Sequence, residues 1–439
     1  MRVRLTFARA VQVLQLSRQA AGLAMMVAVA KAGLDLREVG NFEALRYTGY
    51  VATVFWVNGL ATAYLRARQR THTPQRWLTF YLLVAALGAL ATFAVFAFAL
   101  PAVTSVLLDL PEVAFGATFG VYLLGVLLGN VVEQEAVADQ AGGRLAAYAL
   151  SSYGLQTAAF AAPLLLGAPL YVAMLGLAAS ALYRLAWVGA RYLRVSDVAP
   201  PPSDEIRAFA RSAGHLSAYA TGAAAVVMID HALVAYGAPD DPGAAVALWR
   251  YGAQELPLLV AIMGGVNATA LAEMRTDRAL ALANLRRRGT GVSLAFFALA
   301  ILLVATSRWW FPLAFSEELG PGHVLFNTLL LLVPSRVVPT TPQLVSLDLE
   351  GTMAITGLAE NVLNVAVSLL LLPALGLLGI AVGTVVAFSF ERVAYVVRLR
   401  RAGVPAGAYV SPGPWLAGTA ALVAAYASFT DFSLALGVG

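Results

Sequence analysis

Three arginines lie inside or at the edge of stretches that are otherwise apolar enough to span a membrane: Arg18, Arg46 and Arg250. An arginine at the centre of a bilayer costs about 2.5–3.5 kcal/mol on insertion scales, so three of them could approach about 10 kcal/mol. That sum rivals the net stability of an ordinary domain. We therefore expect a water-filled cavity and an anionic ligand for these guanidinium groups.

Arg18 has polar neighbours on one face of its predicted helix. Gln12, Gln15, Arg18, Gln19 and Gly22 share an arc of roughly 120° when the helix turns by about 100° per residue. A polar stripe on a membrane helix faces protein or water rather than lipid. The stripe predicts that Arg18, Gln15 and Gln19 line a cavity and contact an anion. The alternative is hydrogen bonding between helices, with Arg18 extending to the cytoplasmic interface.

Arg46 and Arg250 occupy similar positions in two different spans. Each is followed by tyrosine, in Ala44-Leu-Arg-Tyr47 and Ala247-Leu-Trp-Arg-Tyr251, and each span later contains Val-Asn, at Asn58 and Asn267. Guanidinium suits phosphate because its fork makes two parallel charge-assisted bonds. We predict that Arg46, Arg250 and Asn58 belong to the cavity. The alternative is that both arginines are interface anchors beside aromatic-belt tyrosines.

Acidic residues within the predicted spans are candidates for binding a coupling cation. Asp230 lies beside His231 in the seventh span, Glu255 follows in the eighth, and Glu360 lies in the eleventh. Their carboxylates could bind Na⁺ or a proton. The alternative is that Asp230 and Glu255 pair with Arg250, because a buried guanidinium without a partner is costly.

Further polar candidates lie in the tenth and eleventh spans. Arg336 lies in Val333-Pro-Ser-Arg-Val-Val-Pro339, and another proline follows at position 342. Prolines at this density break or bend a helix, and broken spans often mark transporter sites. Asn361, Asn364 and Ser368 share one helix face. We predict that Arg336, Asn361 and Asn364 line the cavity, with hydrogen bonding between helices as the alternative for the asparagines.

The elements that carry these residues are predicted to be membrane helices. The chain has 439 residues, of which 60% are hydrophobic and 12% charged, whereas soluble domains carry about 25% charged residues. Apolar runs of about 20 residues recur from end to end and predict an all-α polytopic membrane protein with about thirteen spans. The predicted spans are residues 9–31, 44–66, 77–101, 112–132, 144–166, 169–191, 213–236, 247–272, 289–313, 322–346, 352–373, 376–397 and 414–437.

Charge and composition predict the orientation and exclude several functions. Basic residues concentrate in alternate loops, which places the N-terminus in the cytoplasm and the chain in the cytoplasmic (inner) membrane. There is no cysteine, the four histidines are scattered, and the net charge of +5 is small. We therefore expect no metal site, no cofactor and no nucleic-acid partner. Because catalytic motifs are also absent from the sequence, we expect that the protein is not an enzyme.

The longest predicted loop divides the first twelve spans into two sets of six. It contains Ala199-Pro-Pro-Pro202, followed by Ser203, which is predicted to begin a cytoplasmic helical extension. An even number of spans gives both halves the same orientation, as in repeats related by a pseudo-two-fold axis along the membrane normal. We predict an N-lobe at residues 1–192, a cytoplasmic linker at 193–212 and a C-lobe at 213–400. Residues 401–439 are predicted to add one further C-terminal helix. If there are two additional helices, the second would lie beyond the given sequence.

Several segments together resemble the MATE-like flippase superfamily, specifically the Wzx-type polysaccharide biosynthesis transporters. Gly33 to Leu45 is similar to the family's link between its first two helices, and Met228-Ile-Asp230 to the start of its second lobe. Ala359-Glu-Asn361 through Asn364, then Gly376 to Gly383, are similar to its eleventh and twelfth helices. The chain departs from the family at Val246-Ala-Leu-Trp249, where a glycine-x-tyrosine is common, and in its additional terminal span.

The resemblance implies a V-shaped pair of six-helix lobes around a central cavity. It implies alternating-access transfer of an undecaprenyl-pyrophosphate-linked oligosaccharide to the outer leaflet, in contact with membrane lipids. Related lipid II flippases use cavity arginines in the first, second and eighth helices, where Arg18, Arg46 and Arg250 lie. The implied partners are a polysaccharide polymerase and glycosyltransferases. The expected oligomeric state is a monomer. Na⁺, H⁺ or the membrane potential would drive transport.

Two other functions fit the same sequence less well. A cation-coupled drug or metabolite exporter of the same fold would favour a carboxylate in the first helices, where this chain has Arg18. A polytopic glycosyltransferase or ligase would need a large outer loop with catalytic residues. No predicted loop is longer than the cytoplasmic one after the sixth span.

Overall fold

The computed structural model describes residues 7–110, 113–192, 199–238, 240–254, 256–274 and 277–430. Within these ranges the regular structure is helical and no strand forms, which confirms the predicted all-α class. The chain divides into two compact units, Met1–Ala224 and Ala225–Gly439. The predicted lobe and linker boundaries remain predictions.

The first unit consists of helices α1 to α8 and the first part of α9. Their bounds are α1 Phe7–Lys31, α2 Leu36–Phe55, α3 Ala61–Arg70, α4 Pro74–Ala94, α5 Leu100–Leu108, α6 Gly116–Ala138, α7 Gly142–Leu165, α8 Leu170–Tyr192 and α9 Ser203–Gly237. Two π-helical segments, Trp56–Leu60 and Val95–Ala99, join α2 to α3 and α4 to α5. Helix α9 begins at Ser203, as the sequence predicts.

The second unit contains the end of α9 and nine further helices. Their bounds are α10 Pro242–Gly252, α11 Pro257–Met274, α12 Arg278–Ala314, α13 His323–Leu330, α14 Val333–Arg336, α15 Thr341–Ser346, α16 Glu350–Leu375, α17 Leu377–Arg401 and α18 Pro412–Phe429. Short 3₁₀ turns lie at Gly320–Gly322 and Ala406–Ala408.

Over the residues that the structure describes, the predicted spans coincide with one helix or with consecutive helices. The last part of the thirteenth, residues 431–437, lies outside the described residues. Seven of the described helices are long and apolar enough to cross a membrane, or eight if one bent pair counts as a single span. The protein is therefore a multi-pass membrane protein. The bent pair, Gly320–Leu330 and Val333–Ser346, turns by 41° at the prolines around Arg336, which confirms the predicted break in the tenth span.

Several spans differ from the sequence-based boundaries, among them the fourth and the eighth. The fourth was expected to end at residue 132, but α6 continues to Ala138 because the buried carboxylates of Glu133 and Glu135 have partners on neighbouring helices. The eighth was expected to be continuous, but it consists of α10 and α11, with Pro257 opening the second helix. Proline cannot donate a helical hydrogen bond and is favoured in a first turn.

The break in the tenth span leaves backbone carbonyl groups without helical hydrogen bonds, and side chains of other helices donate to them. The indole Nε1 of Trp415 donates to Pro334 O at 2.9 Å, and Nη1 of Arg392 donates to Val338 O at 3.2 Å. Non-helical backbone is tolerated at membrane depth only where such donors are supplied. Arg392 also forms an ion pair with the adjacent Glu391, whose Oε2 lies 3.6 Å from its Nη2.

Small residues set the spacing between α6 and α8. A Cβ atom added at Gly125 would lie 2.6 Å from Ala181 Cα, so valine there would force the two backbones apart. Gly125 and Gly129 form a small-xxx-small pair, the pattern that lets membrane helices approach closely. By contrast, nothing lies within 4 Å of a Cβ added at Gly154 of α7.

We predict that Gly125→Val destabilises the protein by about 1–3 kcal/mol, the usual cost of overpacking a tight contact. The measurement is thermal unfolding of the purified protein in detergent, with Gly154→Val as the matched control. A Gly125→Val protein as stable as the Gly154→Val control would contradict the close approach of α6 and α8.

Candidate functional site

Helix α1 presents its predicted polar stripe away from the protein interior. Gln12, Gln15 and Gln19 are exposed, whereas Leu14 and Met25 on the opposite side are buried. In lipid the three amides would lack hydrogen-bond partners, whereas Leu16 and Leu23, which are exposed beside them, would not need any. A cavity-lining role for Gln15 and Gln19 stays a prediction.

Arg18 lies at the boundary between this polar face and the interior of the first unit. Its Nε donates to the Tyr153 hydroxyl at 2.8 Å, and its Nη2 forms an ion pair with Glu133. The Tyr153 hydroxyl in turn donates to Glu133 Oε1 at 3.1 Å. The Arg18 side chain is 32% exposed, whereas that of Glu133 is 3% exposed. Arg18 therefore connects a buried carboxylate to a polar surface.

A second arginine, Arg184 of α8, lies deeper in the same unit. It is 1% exposed, and its Nη2 donates to Gln156 Oε1 at 2.6 Å. Its guanidinium lies over the rings of Tyr153 and Tyr122, 4.9 and 5.7 Å from their centroids. Its Nε has no hydrogen-bond partner among the described residues. Sequence reasoning missed Arg184, although a single arginine inside an apolar predicted span was the available signal.

We call Arg18, Glu133, Tyr153, Gln156 and Arg184 the arginine network. It contains two guanidinium cations and one carboxylate, and within the described ranges no other carboxylate pairs with either cation. The network thus holds one more positive than negative charge in a low-dielectric interior. Such a surplus attracts an anion to the exposed edge, which Arg18 forms.

The other predicted cavity arginines have different surroundings. Arg46 Nη1 lies 2.9 and 3.0 Å from the two carboxylate oxygens of the buried Glu43, so its charge is balanced within α2. Arg250 is half-buried in the last turn of α10. The Arg336 guanidinium lies over the Phe388 ring, 3.9 Å from its centroid. Asn58 lies in the π-helical segment Trp56–Leu60, and its side chain is outside the described part of the structure.

The second unit contains a buried carboxylate with neutral partners. Asp230 of α9 is 5% exposed and accepts hydrogen bonds from Asn364 Nδ2 of α16 at 2.7 Å and from Thr384 Oγ1 of α17 at 3.0 Å. The Ser368 hydroxyl is 3.4 Å from Asn364 Oδ1. We call these four residues the Asp230 cluster. Its hydrogen-bond partners among the described residues are neutral, and they do not include Arg250, which was the alternative partner.

The remaining predicted polar residues divide between this cluster and other positions. Glu360 is buried on α16, one turn before Asn364. Asn361 donates to Gly357 O of its own helix at 2.8 Å rather than to the cluster. Glu255 lies outside the described residues. The described residues contain no group of three His, Asp or Glu side chains that could hold a metal ion.

We predict that Glu133→Gln lowers the free energy of unfolding by about 1–3 kcal/mol. Breaking a fully buried ion pair costs about 3–5 kcal/mol. The expected loss is smaller here because water screens the partly exposed Arg18. Adding Arg184→Gln should restore part of the loss, since it removes the surplus cation. Thermal unfolding in detergent measures both variants, with the exposed Asp204→Asn as control. Simple additivity of the two changes would show that the charges are not coupled.

Comparison with known proteins shows similarity in structure alone. No family model matches the chain, and no curated protein matches it in sequence. Among solved structures, the lipid II flippase MurJ in an inward closed conformation has a TM-score of 0.72 at 11% identity, covering 96% of this chain and 97% of that one.

Multidrug transporters have the same architecture. An inward-facing MATE family transporter of the MOP superfamily has a TM-score of 0.60 at 14% identity, covering 96% of this chain and 99% of that one. A MOP superfamily transporter from Pyrococcus furiosus, described as having a binding pocket of reversed polarity, has a TM-score of 0.55 at 14% identity, covering 96% and 97%. At these identities the matches establish the fold of MOP superfamily transporters for this chain.

Proposed function

We propose that the chain is a MOP superfamily flippase that moves a polyprenyl-pyrophosphate-linked oligosaccharide across the cytoplasmic membrane by alternating access. The fold supports transport in general, and it is shared by flippases and drug exporters. The choice between these two classes depends on the charge of the binding residues.

The surplus positive charge of the arginine network is the observation that carries the proposal. A cationic drug would meet Arg18, backed by Arg184, at the polar face of α1 and would be repelled. A pyrophosphate has the opposite charge and would balance the network. The lipid-linked sugar pyrophosphate is therefore favoured over a cationic substrate.

Arg18 retains the donors that such a substrate needs. A guanidinium has five N–H groups, and the ion pair and hydrogen bond of Arg18 use one on Nη2 and the one on Nε. Three donors therefore remain for phosphate oxygens. Gln15 and Gln19 would bind sugar hydroxyls beside it. Arg46, Arg250, Arg336, Asn58, Asn361 and Asn364 are the further binding residues that we propose.

The Asp230 cluster is our proposed site for the coupling ion. The Asp230 carboxylate provides a single negative charge and, with the neighbouring Thr384 hydroxyl, hard oxygen ligands, which suit Na⁺ or a proton rather than a transition metal. Glu360, one turn away, and Glu255 are the other candidates. A cation-coupled exporter of the same fold would use the same cluster. Cation-coupled export is therefore the second candidate function.

The proposed setting is the cytoplasmic membrane, with the N-terminus in the cytoplasm and the basic loops on that side. There the protein would act as a monomer beside glycosyltransferases that supply the substrate and a polymerase that consumes it. A membrane potential that is positive outside would assist outward movement of the pyrophosphate by about 2.3 kcal/mol per charge per 100 mV.

We predict that Arg18→Gln slows flipping of a pyrophosphate-linked oligosaccharide roughly ten- to hundredfold in proteoliposomes. Loss of a hydrogen-bonding charge costs about 1.5–3 kcal/mol, and each 1.4 kcal/mol is tenfold. Arg9→Gln is the matched control, because Arg9 is an exposed arginine on the same helix.

Two results would contradict the proposed function. Flipping by Arg18→Gln at the wild-type rate would remove Arg18 from the substrate site. Export of cationic dyes by the wild-type protein, without movement of the lipid-linked glycan, would assign the chain to the exporter class.

We predict that Asp230→Asn makes transport independent of cation gradients, because the neutral amide cannot balance a bound Na⁺ or take up a proton. Transport is measured in proteoliposomes under imposed Na⁺ or pH gradients. Ser368→Ala removes one oxygen and no charge, so it should weaken the dependence without abolishing it. Unchanged gradient dependence in a folded Asp230→Asn protein would exclude the cluster as the coupling site.

A further inference from the structure

An open groove of about 710 Å³ lies on the second unit, apart from the Asp230 cluster. It is lined by α12 and by residues just before α18, among them Arg286, Arg287, Thr290, Leu294 and Ser411. Its volume falls within the about 300–1,000 Å³ typical of small-molecule sites. The residues of the proposed transport site do not line it.

The wall of the groove along α12 is cationic in its middle and apolar on both sides. Apolar lining residues come before Arg286 and Arg287, namely Ala279, Leu282 and Ala283. Thr290 and Gly291 follow one turn after the arginines, and Leu294 follows after a further turn. Positions i, i+4 and i+8 share one helix face, so these side chains form a continuous strip. Leu294 is 52% exposed. The groove thus offers two cations beside apolar surface, which suits an amphiphile with an anionic headgroup.

Hydrogen bonds fix the cationic part of the groove against the chain segment before α18. Arg286 Nε donates to Ser411 Oγ at 3.3 Å, and Ser411 Oγ lies 2.7 Å from Thr290 Oγ1. These bonds leave the Nη donors of Arg286 for a ligand. Arg288, next along the chain, pairs with Glu273 at 2.8 Å, whereas within the described ranges no carboxylate pairs with Arg286 or Arg287.

From the sequence of α12 we expect the groove to lie at the level of a lipid headgroup. Arg286 and Arg287 lie at the boundary where the charged start of α12 gives way to its long apolar segment. Helix α18 begins at Pro412, directly after Ser411, and packs along this apolar segment, where Gly418 lies against Phe297. Arginines at such a boundary attract anionic lipid headgroups by about 1 kcal/mol each.

We propose that this groove binds one anionic glycerophospholipid, with its phosphate on Arg286 and Arg287 and an acyl chain along Leu294. Gly291 gives the groove its depth, because nothing lies within 4 Å of a Cβ added there. The lipid would hold the segment before α18 against α12. The site is independent of the transported substrate and of the function proposed above.

The test is lipid binding by the full-length protein, measured by native mass spectrometry during titration with phosphatidylglycerol or phosphatidylcholine. The wild-type protein should bind one phosphatidylglycerol at least tenfold more tightly than phosphatidylcholine. Arg286→Gln/Arg287→Gln should abolish that preference. Gly291→Trp should weaken phosphatidylglycerol binding at least tenfold without any change of charge, because the indole would fill the groove.

The chain offers a matched control in Arg398→Gln/Arg400→Gln. This variant removes two exposed arginines from the end of α17, outside the groove, and should bind phosphatidylglycerol as the wild type does. Equal losses in the two double variants would overturn the proposal in favour of diffuse charge attraction. Unchanged binding by Gly291→Trp would also overturn it. Inorganic phosphate that displaces the lipid at equal concentration would show a phosphate site in which the acyl chain has no part.

Discussion

The burial of guanidinium groups in an apolar helical unit is the constraint on which much of this structure depends. Arg184 is almost completely buried, and Arg18 lies at the edge of the same interior. Their charges require a carboxylate, so α6 extends past its apolar segment to bring Glu133 to Arg18. One electrostatic requirement thus determines the length of α6.

The second unit satisfies its buried polar groups by a different chemical route. The Asp230 carboxylate is held by neutral donors from α16 and α17, and the freed carbonyls of the broken span are bonded by Arg392 and Trp415. Because lipid cannot form hydrogen bonds, each of these donors supplies a bond that lipid would not. The arginine network in the first unit carries a surplus of positive charge, and the Asp230 cluster in the second carries one negative charge.

The same chemistry separates arginines that have protein partners from arginines that have no carboxylate partner among the described residues. Arg46 is balanced by its neighbour Glu43, and Arg392 serves a helix break. Arg286 and Arg287 have no carboxylate partner among the described residues and lie where a helix leaves its apolar segment. The position of an arginine in a predicted span does not distinguish these two kinds of arginine. The cost of burying its charge depends on which group it pairs with in the folded protein.

The sequence by itself determined the membrane class, the helices that coincide with its apolar runs, the break at the prolines around Arg336 and the polar face of α1. These features are local, since hydropathy, proline and a 3.6-residue period act within one helix. Only the tertiary structure decided which charges meet. Glu133 lies just past the predicted end of the fourth span, and Arg184 is not among the predicted site residues. Neither interpretation of Asp230, as a coupling-cation site or as a partner of Arg250, includes a bond to Thr384. Such contacts join residues more than 100 positions apart, as in Arg18 with Glu133 and Asp230 with Asn364. Their geometry depends on helix packing, which no single helix pattern specifies.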